Sequence, residues 1–187
     1  MNTDKICIFT DTGKMHTIKA VDIPLGRFRD KGTPVDNLSN YDSSQERMLY
    51  VAPVGQLRSD RLLFVTKTSM CKLVEGAEFD VAKRTIASTK LADEDELLLI
   101  GSASETEQIV LQSHGGCFLR FLTQEVSTMK KTALGVRGMK LADDDYLEHA
   151  YLLAGHQEYT ISYHDKEYAL NKVRLAKRDT KGIKPRI

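Results

Sequence analysis

Lys131-Thr-Ala-Leu-Gly-Val-Arg-Gly-Met-Lys-Leu141, running on into Ala142-Asp-Asp-Asp145, is the stretch that decides the architecture. Cations and two glycines sit on a short turn, an apolar run follows, and acids close it. Part of it occurs twice: Lys90-Leu91-Ala92-Asp93-Glu94-Asp95 matches Lys140-Leu141-Ala142-Asp143-Asp144-Asp145 at an offset of 50. Self-similarity at such a spacing marks a repeat array, whose units bury their apolar faces against one another.

Outward from that stretch, one hairpin signal appears four times. Ile6-Cys-Ile-Phe-Thr10 turns through Asp11-Thr-Gly13 into Lys14-Met-His-Thr-Ile18. Leu62-Leu-Phe-Val-Thr66 turns into Met70-Cys-Lys-Leu-Val74, and Ile109-Val-Leu-Gln-Ser113 into Cys117-Phe-Leu-Arg-Phe121. Tyr159-Thr-Ile-Ser-Tyr163 turns into Glu167-Tyr-Ala-Leu170. With Thr10, Thr66, Ser113 and Tyr163 taken as equivalent, the steps are 56, 47 and 50. Short runs rich in β-formers between turn residues are strands. A basic segment follows each hairpin: Arg27-Phe-Arg-Asp-Lys31, Lys83-Arg84, Lys130-Lys131 and Lys177-Arg178. A turn residue and a β-branched residue then fall in register, at Pro34-Val35, Thr85-Ile86, Gly135-Val136 and Gly182-Ile183. Closing strands are expected near Met48–Val51, Leu97–Ile100 and Tyr146–Leu153.

Four strands in about 50 residues is the arithmetic of a propeller blade. The sequence therefore predicts an all-β chain forming one domain over residues 1–187, with repeats near 5–55, 56–105, 106–155 and 156–187. Glu78-Phe-Asp-Val-Ala-Lys83 has room for one helical turn and no more. Pro24, Pro34 and Pro53 fall between strand runs, where a missing N–H does least harm. The fourth unit stops before its closing strands. Either another segment completes that blade or the array is open, so the chain is expected to be a piece of something longer.

The hydrophobic share of 41% excludes a disordered chain, and a net charge of +1 names no partner. The distribution of charge says more. From Asn171 to Ile187 there are seven cations against Asp179 alone, while Ala92 to Gln108 carries six anions and no cation. Cys7, Cys71 and Cys117 are far apart, without the spacing of a disulfide framework or a zinc site. They point to a reducing compartment and to core roles. No apolar run approaches the roughly 20 residues of a membrane helix, and no signal peptide is evident. The expected setting is the cytoplasm, with no membrane partner.

Motifs for catalysis and metals do not assemble. His16, His114, His149, His156 and His164 show no HxxxH or HExxH spacing. The acid clusters Asp93–Glu96 and Asp143–Asp145 lack the alternation of a calcium loop and are expected as turn residues. No cofactor and no metal are expected.

At Gly135-Val-Arg-Gly-Met-Lys-Leu141 and its three counterparts, the pattern resembles the C-terminal domain of the A subunits of bacterial type IIA topoisomerases, DNA gyrase and topoisomerase IV. The first hairpin, Gly32-Thr-Pro-Val-Asp-Asn-Leu38 and Lys181-Gly-Ile-Lys184 fit it too, so the resemblance covers nearly the whole chain. It implies a β-pinwheel, a propeller-like disc whose blades exchange a strand, here with about four blades of four antiparallel strands, open or incomplete. It also implies duplex DNA as the partner, held along a basic outer rim, bent or wrapped without regard to sequence and presented for strand passage. The family's catalytic tyrosine and metal site have no match in this chain. The implied further partners are the ATPase B subunit, together with the N-terminal cleavage domain carried on the same subunit. Gyrase is similar but carries a box of the type QRRGGKG in its first blade. The nearest stretch here, Arg27-Phe-Arg-Asp-Lys-Gly32, is less basic, which places the chain nearer topoisomerase IV.

The expected phosphate contacts are Arg27, Arg29, Lys31, Lys83, Arg84, Lys130, Lys131, Arg137, Lys140, Lys177, Arg178, Lys181 and Lys184. Cations on successive blades accumulate affinity, because each one that reaches a phosphate releases a counterion. A plainer reading has them solvate loops and pair with nearby acids. Two rivals stand beside DNA binding. A protein-scaffold propeller would grip partners on a flat face. A propeller enzyme would bring acids or histidines to the axis, where the in-register positions are apolar.

Overall fold

In a computed structural model, which describes residues 4–103, 106–155 and 158–185, the hairpins form as the alternation predicts. Glu105, His156 and Arg186 lie outside the described residues. The first blade starts with β1 (Lys5–Thr10), β2 (Lys14–Lys19) and β3 (Met48–Pro53). A single turn, α1 (Val54–Leu57), leads to β4 (Arg61–Thr66), β5 (Met70–Glu75), β6 (Thr85–Ala87) and β7 (Leu97–Ser102). The third repeat supplies β8 (Gln108–Ser113), β9 (Phe118–Leu122), β10 (Val136–Arg137) and β11 (Leu147–Leu153), and the fourth β12 (Thr160–Tyr163) and β13 (Lys166–Ala169).

The strands do not stay within their own repeats. The first sheet has the order β3-β1-β2-β6 and the second β10-β5-β4-β7, so each takes its last strand from the following repeat. The third sheet, β11-β8-β9, is completed in the same way by Ile183, which exchanges backbone hydrogen bonds of 2.7 and 2.8 Å with Phe118. The donated residues keep one register: Ile86 faces Met15, Val136 faces Cys71 and Ile183 faces Phe118. These are the β-branched residues that the sequence places in register. The first of the set behaves differently. Val35 opens a 3-10 turn over Val35–Asn37.

A short turn sets each hairpin. Gly13 and Gly116 take φ of 76° and 79°, the left-handed region that glycine enters freely. Ser69 holds the same place in the second blade, at φ 72°. Its position is stabilised from outside, since its hydroxyl accepts a 2.7 Å hydrogen bond from the Met139 N–H. The β12–β13 turn is tighter, with His164 and Asp165 both at positive φ, the geometry of a type I′ hairpin.

Three apolar clusters lie between consecutive blades. Cys7, Phe9 and Met15 of the first pack on Leu62, Phe64 and Phe79 of the second. Leu63, Val65 and Cys71 meet Ile109, Leu111 and Phe121. Val110 and Phe118 meet Leu170, Val173 and the ring of Tyr163. Full burial of one such side chain contributes about 1.5–3 kcal/mol. The three cysteines are free; Cys7 and Cys71 are buried, and burial pushes the Cys71 thiol up to about 12.

Polar groups within strands fasten each blade to the following repeat. The His16 ring bridges Thr85 at 3.0 Å and Glu46 at 2.8 Å, joining the second repeat to the first blade. Burial pushes the Glu46 carboxyl up, but hydrogen bonds from Thr10 and Thr12, with His16 beside them, outweigh it and hold it below the usual range. The Lys72 ammonium, buried in β5, donates to the carbonyls of Lys131 (2.8 Å) and Ala133 (2.6 Å). Arg120 in β9 donates to the carbonyls of Asn171 and Val173.

Burial lowers the Lys72 ammonium to about 8. The unfolded chain, near 10.4, then holds more protons through that interval, so this residue makes stability rise with pH from about 8 to about 10.4. Lys72→Met is expected to remove that rise. Urea unfolding of both proteins across the interval measures it as the difference between the two pH profiles.

Candidate nucleic-acid interface

The axis of the array is marked by β3, β7 and β11, which pack on one another in sequence, β3 on β7 and β7 on β11. Each occupies the edge of its sheet opposite the donated strand. Where those edges converge, the opposite edges must diverge, so β6, β10 and Ile183 form the perimeter. The segments that cross between blades, near 82–90, 130–140 and 177–184, therefore run along the outside.

These segments are joined to one another. The Lys90 N–H donates to the Lys131 carbonyl at 3.0 Å, and the Lys140 N–H to the Thr180 carbonyl at 2.9 Å. The Asp179 N–H donates to the Gly138 carbonyl at 2.7 Å. The result is a continuous basic strip along three repeats. An open groove of about 890 Å³ lies on it, lined in part by Lys83, Thr85, Thr89, Lys90, Lys131 and Thr132.

A short code sets which cations point outward. Each hairpin leads into a 3-10 turn with an apolar residue at its end, Ile23, Val126 and Val173 just after the turn and Phe79 as its last residue. Four residues on stand Arg27, Lys83, Lys130 and Lys177, and all four are exposed. Five residues on stand Phe28, Arg84, Lys131 and Arg178. The three cations of this second set reach back to the acid that precedes the apolar residue of the repeat before. Arg84 lies 3.6 Å from Asp22. Lys131 donates its N–H to Glu78 at 3.2 Å and its ammonium to the Glu78 carbonyl at 3.0 Å. Arg178 donates its N–H to Glu125 at 3.0 Å and its Nε to the Glu125 carbonyl at 3.1 Å. Lys131 and Arg178 are half-buried, so their donors fasten repeat to repeat.

The remaining expected contacts divide in two. Lys130 pairs with Glu78 at 3.4 Å, and Arg137 pairs with Asp179, whose carboxyl this guanidinium holds below the usual range. Both cations are exposed; such pairs are worth about 0–1 kcal/mol and exchange readily for a phosphate. Arg27, Arg29, Lys31, Lys83, Lys140, Lys177, Lys181 and Lys184 are exposed and form no ion pair among the described residues. The first segment is less integrated than the others. It touches the strip where Asp22 reaches Arg84 and where Asn40 donates to Thr85 at 3.0 Å, while Arg27–Lys31 project into solvent.

Two features go beyond what the sequence alone suggests. Lys90 is exposed on the groove, and its match to Lys140 in the repeated Lys-Leu-Ala-Asp is the signal for it. The back-reaching cations also carry a signal, an acid and a cation six residues apart in the second and third repeats, Glu78 with Arg84 and Glu125 with Lys131. The acid clusters fasten turns, as expected. Asp95 accepts from the Thr68 N–H at 3.0 Å and Asp145 from the Gly115 N–H at 2.9 Å.

A propeller-like array of β-blades that donate strands forward, with a basic perimeter, defines the class of protein. The family model described as DNA gyrase C-terminal domain, beta-propeller, matches residues 4–43, 60–102 and 107–154, and the chain belongs to that family. The DNA gyrase A subunit of Ureaplasma parvum serovar 3 is 27% identical over 184 residues, which are 95% of this chain and 22% of the relative. The chain thus spans about a fifth of the length of that relative. The crystal structure of the C-terminal domain of DNA topoisomerase IV has a TM-score of 0.86 at 24% identity, covering 97% of this chain and 58% of that one. The DNA gyrase A C-terminal domain has a TM-score of 0.69 at 22% identity, covering 98% and 60%. Both likenesses are of fold. Among the described residues no helix is long and apolar enough to cross a membrane.

Proposed function

We propose that this chain binds duplex DNA along its perimeter without regard to sequence and bends it, as the C-terminal domain of the A subunit of a type IIA topoisomerase. The observation that carries the reading is the hydrogen-bonded succession of basic crossing segments, 90 to 131 and 140 to 180. Cations on flexible stems contact phosphates, which are the same for every sequence. Bending 20–30 bp by 40–90° costs about 1–6 kcal/mol, and contacts spread over several blades offset that cost.

In this reading the chain is part of the larger enzyme's DNA-handling surface and performs no bond chemistry. Its partners are the ATPase B subunit, together with the cleavage domain carried on the same subunit, in the cytoplasm on the nucleoid. The absence of a QRRGGKG box favours the topoisomerase IV kind of role, capture and bending of the segment to be passed. Fluorescence transfer between the ends of short duplexes tests it. Transfer is expected to rise on binding, equally for duplexes of unrelated sequence. Strong preference for one sequence, or binding with no change in transfer, would defeat the proposal.

A further inference from the structure

Phe28 breaks the code of the perimeter. In the other three repeats its position holds a cation that turns back to the preceding acid. Here it holds an aromatic ring that is 105% exposed, beside the equally exposed Leu25. The ring sits at the tip of a hydrogen-bonded turn. The Asp30 N–H donates to the Arg27 carbonyl at 2.9 Å, and the Asp30 carboxylate accepts from the Arg27 N–H at 2.6 Å. The same turn holds Lys130 to Ala133 in the third repeat, and on either side of the tip Asp22 and Asn40 reach Arg84 and Thr85 of the strip. Arg27 is the in-register partner of Lys83, Lys130 and Lys177, and Arg29 and Lys31 follow it. A duplex whose phosphates follow that register is led across the ring.

Resting on DNA binding along this perimeter, we propose that Phe28 is a wedge that enters a base step of the bound duplex and kinks it at the first repeat. Apolar side chains flanked by cations unstack base steps in this way, and the flanking charges hold the backbone on either side. A ring left in water gains apolar contact only on insertion. Stacking is indifferent to sequence, because every base presents a π-face. The wedge would therefore add bend without adding specificity.

The chain contains no tryptophan, so Phe28→Trp places a single reporter at the tip. Its emission is expected to be quenched on adding duplex DNA, as stacking on bases requires. Phe28→Ala, harmless to a fold that the ring does not touch, is expected to weaken binding about tenfold and to reduce the end-to-end transfer of short duplexes. Its salt dependence should equal that of the parent chain, since no cation is lost. Salt-dependent binding with unquenched emission, or an unaltered bend in Phe28→Ala, would overturn the wedge while leaving perimeter binding intact. Salt-independent or absent binding by the parent chain would overturn both. Quenching by an apolar protein partner but not by duplex DNA would assign the ring to a protein contact and likewise overturn the wedge.

Discussion

Gly135→Ala is expected to destabilise the chain by about 3 kcal/mol or more and to lower its melting temperature by roughly 10 °C. Gly135 takes φ 111°, which side-chain-bearing residues avoid, and a Cβ there would lie 2.7 Å from the Cys71 carbonyl oxygen. Backbone cannot yield as a flexible side chain can. The left-handed conformation costs roughly 1–2 kcal/mol, and overpacking adds about 1–3. Gly182 repeats the geometry in the next repeat, at φ 73° and 2.6 Å from the Phe118 oxygen. Both glycines bring a donated strand onto the edge of the preceding blade. Calorimetry of the two single variants measures the loss. Near-parental melting of both would mean that the donated strands contribute little to stability.

The second large effect concerns binding. Lys83→Ala, Lys130→Ala and Lys177→Ala combined are expected to weaken duplex binding by roughly 10³-fold near 0.1 M salt. All three side chains are exposed and occupy the same position in successive repeats. Removing three phosphate contacts should also reduce the slope of log affinity against log salt by about 3. The thermal transition should stay near that of the parent, since among the described residues the only ion-pair partner lost is Glu78, at 3.4 Å from an exposed ammonium. A fall in affinity without a change in slope would mean that these residues act on the fold and not on phosphate.

The local structure was legible because its signals are local. Alternation and turn residues placed β1, β2, β4, β5, β8 and β9 nearly to the residue, and the Gly-Val and Gly-Ile pairs marked the donated strands. Which sheet receives a strand was not legible from those signals. Thr85–Ala87 reads as a strand of its own repeat until the Met15 edge is present to receive it. The Val35 segment shows the converse: with the same turn and β-branched residues, it forms a 3-10 turn over Val35–Asn37 and joins no sheet among the described residues. Lys72 and Arg120, charges in the middle of strands, look like surface residues in a sequence. Only the following repeat, laid over them, supplies the carbonyls that Lys72 and Arg120 donate to. The candidate site was legible as a set of basic segments. Its division into outward cations and back-reaching fasteners such as Arg178 needed the neighbouring repeat.

Titrating duplex DNA into the chain at a series of salt concentrations tests binding along the perimeter most directly. Six or more phosphate contacts predict a linear fall of log affinity with log salt, amounting to about 10³-fold or more between roughly 50 and 200 mM. Affinity that holds steady across that range, or no binding at its low end, would contradict a perimeter built to follow phosphates.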